Sequence, residues 1–408
     1  MMKKAAALFL VLALLLTAAG CTDKSGTKRT PDSKQNDQTT LPSAATAEQD
    51  SDGTTDAPRD VTLSFLGCGD NIIYYGNVRE AKYLAQGSER EYDFSPTYSN
   101  VADMIAQADI SFINQETLMC GEGYELSYYP RFNSPQAVGD TLVSLGFDVV
   151  SMANNHMLDQ GESGLAASIA YWRGQDVLPV GGYTDRADSE QLRVLTRQGV
   201  RIAFLSYTCG TNGMVCRDDS GAYVPYLNDE TLPTVQEQIR RADEEADLVI
   251  VSAHWGDEGS FYASDAQKTY AQAISDAGAD VIVGHHPHVL QPVVWLTGEE
   301  KGNKTLCAYS LGNFVAEQDD DYELVGGMLS FDIHVSGDKV ALENVCLIPT
   351  VYHFNPSFYD NSVWLMRDYT AQMAQNHGIS YYGNRTDLEK LRAYVTNTID
   401  PEFLPADF

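Results

Sequence analysis

Asp280-Val-Ile-Val-Gly-His-His-Pro-His288 is the stretch of sequence that decides the fold. A short apolar run followed at once by Gly and His is typical of a buried parallel strand that ends at a loop. Leu248-Val-Ile-Val-Ser-Ala-His254 and Asp148-Val-Val-Ser-Met-Ala-Asn-Asn-His156 repeat the pattern. Ligands bind beyond the carboxyl ends of strands in open α/β sheets, so these histidines predict a divalent metal site at one sheet edge.

Helical and strand patterns alternate through the middle of the chain. Predicted helices at 161–173, 231–244 and 264–277 are interleaved with predicted strands at 201–206, 248–253 and 280–284. Such alternation predicts a parallel sheet covered by helices on both faces. After residue 305 the strand patterns at 306–309, 327–334 and 339–348 have no helices between them. We therefore expect antiparallel strands that complete a second sheet.

The first residues have the composition of a targeting segment. Lys3-Lys4 precedes the apolar run 5–16, and Thr17-Ala-Ala-Gly-Cys21 resembles a bacterial lipobox, with Ala18 where Leu is most common. The resemblance implies a signal peptide over 1–20 and a lipid on the thiol of Cys21. A plain secretory signal is the alternative. We expect a lipid-anchored protein at the extracytoplasmic face of a bacterial membrane, or a secreted one if Cys21 is not lipidated.

The rest of the chain divides by composition. Residues 21–59 are polar and predict a disordered stalk, 60–350 a domain, and 351–408 a C-terminal helical extension packed on it. With 57 acidic against 27 basic residues, the net charge of -30 argues against nucleic acid as a partner. Disulfides are allowed outside the cytoplasm, and Cys209 and Cys216 are the candidate pair.

Six side chains at or just past predicted strand ends could bind metal. Carboxylate, amide and imidazole donors together suit Mn, Fe, Zn or similar ions. Each residue alone has an ordinary structural explanation, but the set recurs on successive strand ends that we assign to one sheet. The six are Asp70, Glu116, Asn155, His254, His286 and His288.

The two histidines around Pro287 form the most specific local pattern. In an extended segment residues i and i+2 project to the same side, so His286 and His288 could reach one metal centre. On the same argument His285 faces the other way and has a structural role.

His156 is the candidate proton donor. It follows Asn155, so one side chain could bind metal while the other faces a substrate. Imidazole can donate a proton to a leaving oxygen. Asp159 either orients this imidazole or caps the helix that follows it.

Several motifs closely resemble the signatures of the CapA family, the poly-γ-glutamate capsule-synthesis proteins also called PgsA. The resemblance covers residues 61–348 in matching order. Gly69-Asp70 and Asn114-Gln-Glu116 look like two further family motifs. The four main motifs are Asn154-Asn-His-Met-Leu-Asp-Gln-Gly161, His254-Trp-Gly-Asp-Glu258, Gly284-His-His-Pro-His-Val-Leu-Gln291 and Ser310-Leu-Gly-Asn-Phe314.

The resemblance implies a relation to calcineurin-like metallophosphoesterases. These have a four-layer α/β/β/α sandwich with mixed sheets and one or two divalent ions, here Mn, Fe, Zn or Mg. It implies Asp70 and His288 on the first metal, Glu116 as the bridge, and His156 as general acid. Asn155, His254 and His286 would bind the second metal. Glu258 and Asn313 stand in matched motifs and are candidates for contact with substrate or with the ligands.

Two departures from the metallophosphoesterase pattern weaken the first metal site. Those enzymes open with Asp-x-His, whereas Asn71 and Ile72 follow Asp70, and their bridging residue is Asp rather than Glu116. A single-metal centre therefore stays open.

The resemblance implies two functions. The first is a surface-anchored protein of capsule or poly-γ-glutamate synthesis or export, whose metal-dependent hydrolase-like site acts on a phosphoester or an anionic polymer. The alternative is a non-catalytic accessory or polymer-binding subunit of a membrane synthase complex.

Overall fold

The computed structural model describes residues 59–217, 220–299, 302–337 and 339–408. The predicted signal peptide, the lipid attachment site Cys21 and the stalk up to residue 58 lie outside the described residues. Within the described ranges, no helix combines the length and the apolar character needed to cross a bilayer.

The described residues form fourteen strands and ten α-helices, with short 3-10 turns between some of them. The strands are β1 (Asp60–Asn71), β2 (Ile110–Gln115), β3 (Val149–Ser151), β4 (Leu178–Val180), β5 (Arg193–Arg197), β6 (Val200–Thr208), β7 (Leu248–His254), β8 (Val281–His285), β9 (Val293–Thr297), β10 (Lys304–Ala308), β11 (Asn313–Val315), β12 (Val325–Ser336), β13 (Lys339–His353) and β14 (Ser362–Leu365). The helices are α1 (Tyr75–Leu84), α2 (Ser95–Tyr98), α3 (Ala102–Gln107), α4 (Ala137–Leu145), α5 (Gly161–Arg173), α6 (Arg186–Ser189), α7 (Leu232–Glu245), α8 (Asp265–Ala277), α9 (Ala371–Gln375) and α10 (Leu388–Thr398).

The strands form two mixed sheets. The eight-stranded sheet has the order β14-β13-β12-β1-β2-β3-β4, with β11 beside β1, and the six-stranded sheet has the order β5-β6-β7-β8-β10-β9. Strands β1 to β4 are parallel to their neighbours, as are β6, β7, β8 and β10, while β5, β9, β12, β13 and β14 pair antiparallel.

One expectation about the sheets is confirmed in part and another is wrong. The antiparallel strands β12 and β13 complete a sheet separate from that of β6, β7 and β8, as expected, whereas β10 pairs with β8 and β9 in the other sheet. The strands that precede the predicted ligands belong to both sheets rather than one, since β3 lies in the first and β7 and β8 in the second. Local sequence pattern specifies a strand but not the distant partner with which it pairs.

The sheets pack face to face between helices. The Ser151 hydroxyl on β3 lies 2.8 Å from that of Ser206 on β6, which joins the two sheets directly. Alternate residues of the second sheet face opposite ways: Ile202 and Phe204 pack in the core between the sheets, while Ala203 and Leu205 pack against α7 and α8. Residues of α4 and α5 cover the first sheet. The four-layer α/β/β/α sandwich with mixed sheets is therefore confirmed.

The residues after 350 are built into this body. The range 351–408 begins inside β13 and supplies β14, so part of it is an edge of the first sheet rather than a helical extension. Farther on, the Tyr394 ring of α10 stacks on Phe261 with centroids 5.5 Å apart, and its hydroxyl donates to Asp321 at 2.9 Å. The C-terminal helix thus supports the loop that follows β7.

The disulfide considered for Cys209 and Cys216 is not formed, because Cys209 carries a free thiol. The backbone N–H of Cys209 donates to the carbonyl of His254 at 2.9 Å, at the end of β6. The Cys216 sulfur lies instead 3.2 Å from the carbonyl oxygen of Ala222.

Candidate metal centre

The predicted ligands come from facing ends of the two sheets. Asp70 lies at the end of β1, and Glu116 directly follows β2. Asn155 lies in the turn between β3 and α5. His254 is the last residue of β7, and His286 and His288 directly follow β8. The six residues converge because both sheets present the carboxyl ends of these parallel strands at the same edge.

Asp70 is fully buried and surrounded by donors. Its Oδ1 lies 3.1 Å from His285 Nδ1 and accepts from Asn114 Nδ2 at 2.8 Å. Its Oδ2 lies 3.2 Å from His288 Nδ1 and accepts from the backbone N–H of His286 at 3.2 Å. Burial favours the neutral acid, but the hydrogen bonds and charges of His285 and His288 hold the pKa of Asp70 well below its usual range.

Glu116 has a carboxylate oxygen that no hydrogen bond satisfies. This buried Oε1 lies 3.7 Å from His254 Nε2 and 3.9 Å from His288 Nε2, beyond hydrogen-bonding distance. Burial, together with the nearby charge of Asp70, raises the pKa of Glu116 well above its usual range. A buried acceptor that faces two imidazole nitrogens across such gaps leaves room for a cation that all three groups could bind.

The pKa values of the three imidazoles are shifted in opposite directions. Burial and neighbouring His286 hold the pKa of His254 well below its usual range, and burial and His288 lower that of His286 to about 4. Burial favours neutral His288, but the charge of Glu116 and the hydrogen bond to Asp70 raise its pKa to about 10. Neutral imidazole is the form that binds metal, and a cation between the carboxylates would replace the proton that His288 carries without it.

The donor set fits one or two divalent ions. Two trios have ligand atoms within 4.8 Å of one another, and Glu116 belongs to both. The carboxyl and imidazole groups of these trios, with the amide oxygen of Asn155 2.9 Å from His254 Nε2, suit Mn, Fe, Zn or Mg. The trios are Asp70, Glu116 and His254, and Glu116, His286 and His288.

The backbone after β8 differs from the extended segment that we expected. His286 and His288 have φ of 95° and 59°, so the chain turns on both sides of Pro287. These left-handed conformations are uncommon for residues with a side chain and concentrate at functional sites. Both imidazoles still reach the centre. His285 does not face away, since its Nδ1 contacts Asp70.

His285 and Ile72 together describe how this site departs from the Asp-x-His pattern. Ile72 packs in a small apolar cluster with Phe132 and Ala316, so this position supplies no imidazole to the centre. The fully buried ring of His285 contacts Asp70 from the second sheet instead.

His156 and Asp159 form a dyad beside the ligands. His156 Nδ1 lies 2.7 Å from Asp159 Oδ2, which also accepts from the backbone N–H of Phe132 at 2.6 Å. Helix α5 has Gln160 as its N-cap residue, without a side-chain cap bond, so Asp159 contacts the imidazole rather than capping the helix. Nδ1 is engaged by Asp159, which leaves Nε2 as the nitrogen available to a substrate.

The two remaining candidates lie at the margins of the centre. Exposed Glu258 lines a cavity of about 260 Å³ with Asn155 and His156. Asn313 pairs with Asp70 in the β1–β11 register, and its Nδ2 donates to the carbonyl of Glu323 at 2.9 Å. Asn313 therefore supports the turn beside the site.

Three residues at the centre were not found from the sequence. Besides His285, Asn114 donates to Asp70, and Asn212 Oδ1 accepts from Asn155 Nδ2 at 3.3 Å. Asn114 opens the Asn-Gln-Glu116 motif at a strand end, which was a usable signal. Asn212 has φ of 51° and lies in the polar loop that follows β6. The sequence around Asn212 gave no signal of a site.

The fold and the buried centre define the class of this protein: a four-layer α/β/β/α sandwich with a candidate metal centre of carboxylates and histidines. A family model described as "Bacterial capsule synthesis protein PGA_cap" matches residues 64–318, more than half of the chain. The chain therefore belongs to this capsule and poly-γ-glutamate biosynthesis family.

Curated relatives match the chain over part of its length. The PGA biosynthesis protein CapA of Bacillus subtilis (strain 168) is 36% identical over 179 residues, 43% of this chain and 44% of that protein. The capsule biosynthesis protein CapA of Bacillus anthracis is 36% identical over 175 residues, 42% of this chain and 41% of that protein. The matched segment thus spans less than half the length of either relative. Among solved structures, a hypothetical protein from Thermus thermophilus is similar with a TM-score of 0.41 and 15% identity, covering 70% of this chain and 99% of that chain.

Proposed function

We propose that this chain acts in the synthesis or export of a capsule polymer through a metal-dependent, hydrolase-like site. The single observation that carries the proposal is the position of Glu116 Oε1. It is buried without a hydrogen bond and faces imidazole nitrogens from β7 and from the turn after β8. A buried carboxylate is stable in such a place when a cation is its partner.

The roles of the ligands follow from their contacts. Asp70, Glu116, Asn155, His254, His286 and His288 would hold one or two divalent ions. When bound, such an ion supplies Lewis-acid polarisation of a phosphoryl or carbonyl oxygen. Asn114 fixes both carboxylates, since its Nδ2 donates to Asp70 Oδ1 and lies 3.4 Å from Glu116 Oε2.

In this proposal the His156–Asp159 dyad donates the proton to the leaving group. His156 Nε2 would donate a proton to the leaving atom of the substrate, and Asp159 would hold Nδ1 and stabilise the charged ring. The Phe132 and His156 rings pack edge to face with centroids 4.8 Å apart, which helps to fix the plane of the imidazole. His156 is 7% exposed, so its proton is transferred inside a pocket rather than to bulk water.

A non-catalytic accessory role is the second candidate. The observation that favours it is Ile72, which is packed in the apolar cluster where a histidine ligand would stand in a metallophosphoesterase. In that case the same centre would bind an anionic polymer for a membrane synthase complex without cleaving it.

The location of the protein is part of the proposal. A lipid on Cys21 would tether the domain to the extracytoplasmic membrane face, next to membrane synthase subunits. Labelling with a clickable palmitate analogue tests this, with Cys21→Ala as the matched variant. We expect label and membrane-fraction protein in the wild type and neither in the variant, whereas equal labelling of both would contradict the anchor.

Metal analysis with activity assays tests the site. We expect His286→Ala to lose bound metal, and His156→Ala to keep metal but lose turnover of a chromogenic phosphodiester and of γ-linked glutamate oligomers. His334→Ala, a half-buried histidine on β12, is the matched control and should change neither. Full metal content in His286→Ala would remove that residue from the ligand set. Binding without turnover of any substrate would favour the accessory role.

A further inference from the structure

A second cavity lies apart from the candidate metal centre. It has a volume of about 250 Å³ and is lined by residues of β5, β6, α6 and α7 and of the segment 223–226. Among the described residues, none that lines this cavity also lines the one beside His156. Its volume is near the lower end of the usual range for ligand sites, so it has room for a small molecule.

Basic side chains outnumber acidic ones around this cavity, against the composition of the chain. Its lining includes Arg186, Arg193 and Arg241, whereas Glu230 is the one carboxylate among its described lining residues. The chain as a whole has 57 acidic and 27 basic residues. A local excess of guanidinium groups is suited to an oxyanion, which accepts their N–H donors.

The guanidinium of Arg193 is held in place by the protein. Its Nη2 pairs with Asp188 at 2.6 Å, and its Nη1 donates to the carbonyl of Gln191 at 2.9 Å. The guanidinium carbon also lies 5.2 Å from the centroid of the Tyr183 ring. Because a guanidinium has five N–H donors, these contacts orient the group and leave donors for a ligand.

The hydroxyl of Tyr207 lies among the polar groups of the cavity. It donates to Oε1 of Gln238, which is one turn before Arg241 on α7, at 2.8 Å. Burial raises the pKa of Tyr207 well above its usual range, Tyr183 and Tyr223 raise this pKa further, and the charge of Arg241 opposes the rise. Neighbouring groups shift a pKa in this way only at close range. Two further phenols and a guanidinium therefore lie around the Tyr207 hydroxyl.

Tyr223 has a hydroxyl that the protein itself does not use. Its backbone is fixed, since its N–H donates to the carbonyl of Tyr183 at 2.7 Å in an isolated bridge. The half-buried side chain lines the cavity, and its hydroxyl makes no hydrogen bond with any residue that the structure describes. A positioned hydroxyl of this kind is available to hydrogen bond to a ligand.

The rest of the lining is apolar. Phe204, Leu205 and Val235 are buried, and they line the cavity together with Leu192 and Pro225. Aromatic side chains pack well against a planar ring in offset or edge-to-face geometry. The cavity therefore combines donors for an anionic group with a surface for an aromatic ring.

We propose that this cavity binds a small aromatic oxyanion, whose charged group meets Arg241 and the Tyr223 hydroxyl and whose ring packs on Phe204. The carboxylate of an aromatic acid and the phosphate of an aryl ester share this chemistry. The site goes beyond the proposed function and does not depend on it, because it uses neither His156 nor any candidate metal ligand.

Ligand-observed NMR titration of the full chain tests the proposal. Benzoate, benzamide and benzamidine have nearly the same shape and are negative, neutral and positive, and phenyl phosphate carries the other anion. We expect the better of the two anions to bind at least about tenfold more tightly than benzamide, as for hydrogen bonds to a charged group. Benzamidine should bind more weakly than benzamide. Tighter binding of benzoate would identify a carboxylate ligand, and tighter binding of phenyl phosphate a phosphate ester.

Two variants with matched controls locate the ligand. Tyr223→Phe removes one hydroxyl and no hydrogen bond within the described structure, so it should weaken binding of the anion about tenfold and leave the melting temperature unchanged. Arg241→Gln should weaken binding of the anion by at least as much and leave binding of benzamide unchanged. Tyr262→Phe, at an 82% exposed position, and Arg240→Gln on α7 lie outside the lining and should bind as the wild type does.

His286→Ala separates this cavity from the candidate metal centre, because a bound metal ion would also attract an oxyanion. We expect His286→Ala to bind the anion as tightly as the wild type. Binding that is lost in His286→Ala would place the ligand at the metal centre and overturn the proposal. No binding of either anion, benzamide as good a ligand as both anions, or affinity unchanged in both Tyr223→Phe and Arg241→Gln would overturn it as well.

Discussion

Two regions of this protein bury histidines, and they do so in opposite ways. Around His377 in the C-terminal part the protein satisfies the ring nitrogens: Nδ1 accepts from the N–H of Ile379 at 3.2 Å, and Nε2 donates to the carbonyl of Tyr352 at 3.0 Å. At the candidate metal centre, polar atoms of Glu116, His254 and His286 are buried without partners.

The difference teaches that a lowered histidine pKa does not by itself mark a site. Burial lowers the pKa of His377 to about 3 and that of His353 to about 4, as it lowers the pKa of His286 to about 4. What separates the regions is convergence: at the candidate centre, carboxylate oxygens and imidazole nitrogens lie within 4.8 Å of one another in two trios. Variants in the two regions should therefore fail in different ways.

The largest expected effect is the loss of metal from Glu116→Ala. Glu116 belongs to both trios of ligand atoms, so its removal should bring bound metal to background and abolish turnover. Inductively coupled plasma mass spectrometry of purified protein measures this. His377→Ala is the comparison variant, and it should keep its metal in the fraction that remains folded. Metal retained in Glu116→Ala would place the centre elsewhere.

Asp159→Asn should separate the dyad from the ligands. The amide oxygen can still accept from Phe132, but the charge that stabilises protonated His156 is gone. We expect turnover to fall by about 10² to 10⁴, the usual contribution of general acid catalysis, with metal content unchanged. Steady-state kinetics gives the rate, and circular dichroism checks the fold. Unchanged turnover would exclude a role for the dyad.

His377→Ala should reduce stability rather than metal binding. It leaves the Tyr352 carbonyl and the Ile379 N–H buried without their partner and opens a cavity, which costs about 2 to 4 kcal/mol in the free energy of unfolding. Urea denaturation followed by fluorescence measures the loss. A variant as stable as wild type that binds less metal would contradict the division between the two regions.

The smallest effect, taken per pH unit, is a pH dependence of stability from the C-terminal histidines His353 and His377. The pKa is about 4 for His353 and about 3 for His377 in the folded protein, below the usual 6.5. At a pH between the folded value and 6.5, each histidine therefore binds more protons in the unfolded chain than in the folded protein. Their contribution to stability is fully present above pH 6.5 and is lost as the pH falls toward 4 and 3. The slope is at most about 1.4 kcal/mol per pH unit for each histidine. His377→Gln should flatten it, and an unchanged slope would refute the assignment.

Local sequence pattern predicted the helices and strands well, because the signals for burial and for turns lie within a few neighbouring residues. Helix α5 runs over Gly161–Arg173, the predicted range, and the strand expected at 248–253 is β7 (Leu248–His254). The single sheet expected for all strands that precede the candidate ligands was wrong, because β3 lies in one sheet and β7 and β8 in the other, and no local signal encodes which strands pair.

The candidate site was predicted as a set but not in its detail. Strand-end position brought the six candidate ligands to one place, because the carboxyl ends of parallel strands share an edge. It could not give the left-handed turn at His286 and His288, which reversed the expectation for His285. Nor could it find Phe132, whose ring packs on His156 and whose backbone N–H donates to Asp159 across 27 residues of sequence.

An anomalous-scattering map from crystals of the purified protein tests the central claim most directly. We predict one or two peaks within about 2 to 2.6 Å of Glu116 Oε1, with imidazole nitrogens of His254, His286 or His288 completing the coordination. A map without a peak there, or with its strongest peak at the acidic group Asp319, Asp320 and Glu323, would contradict it.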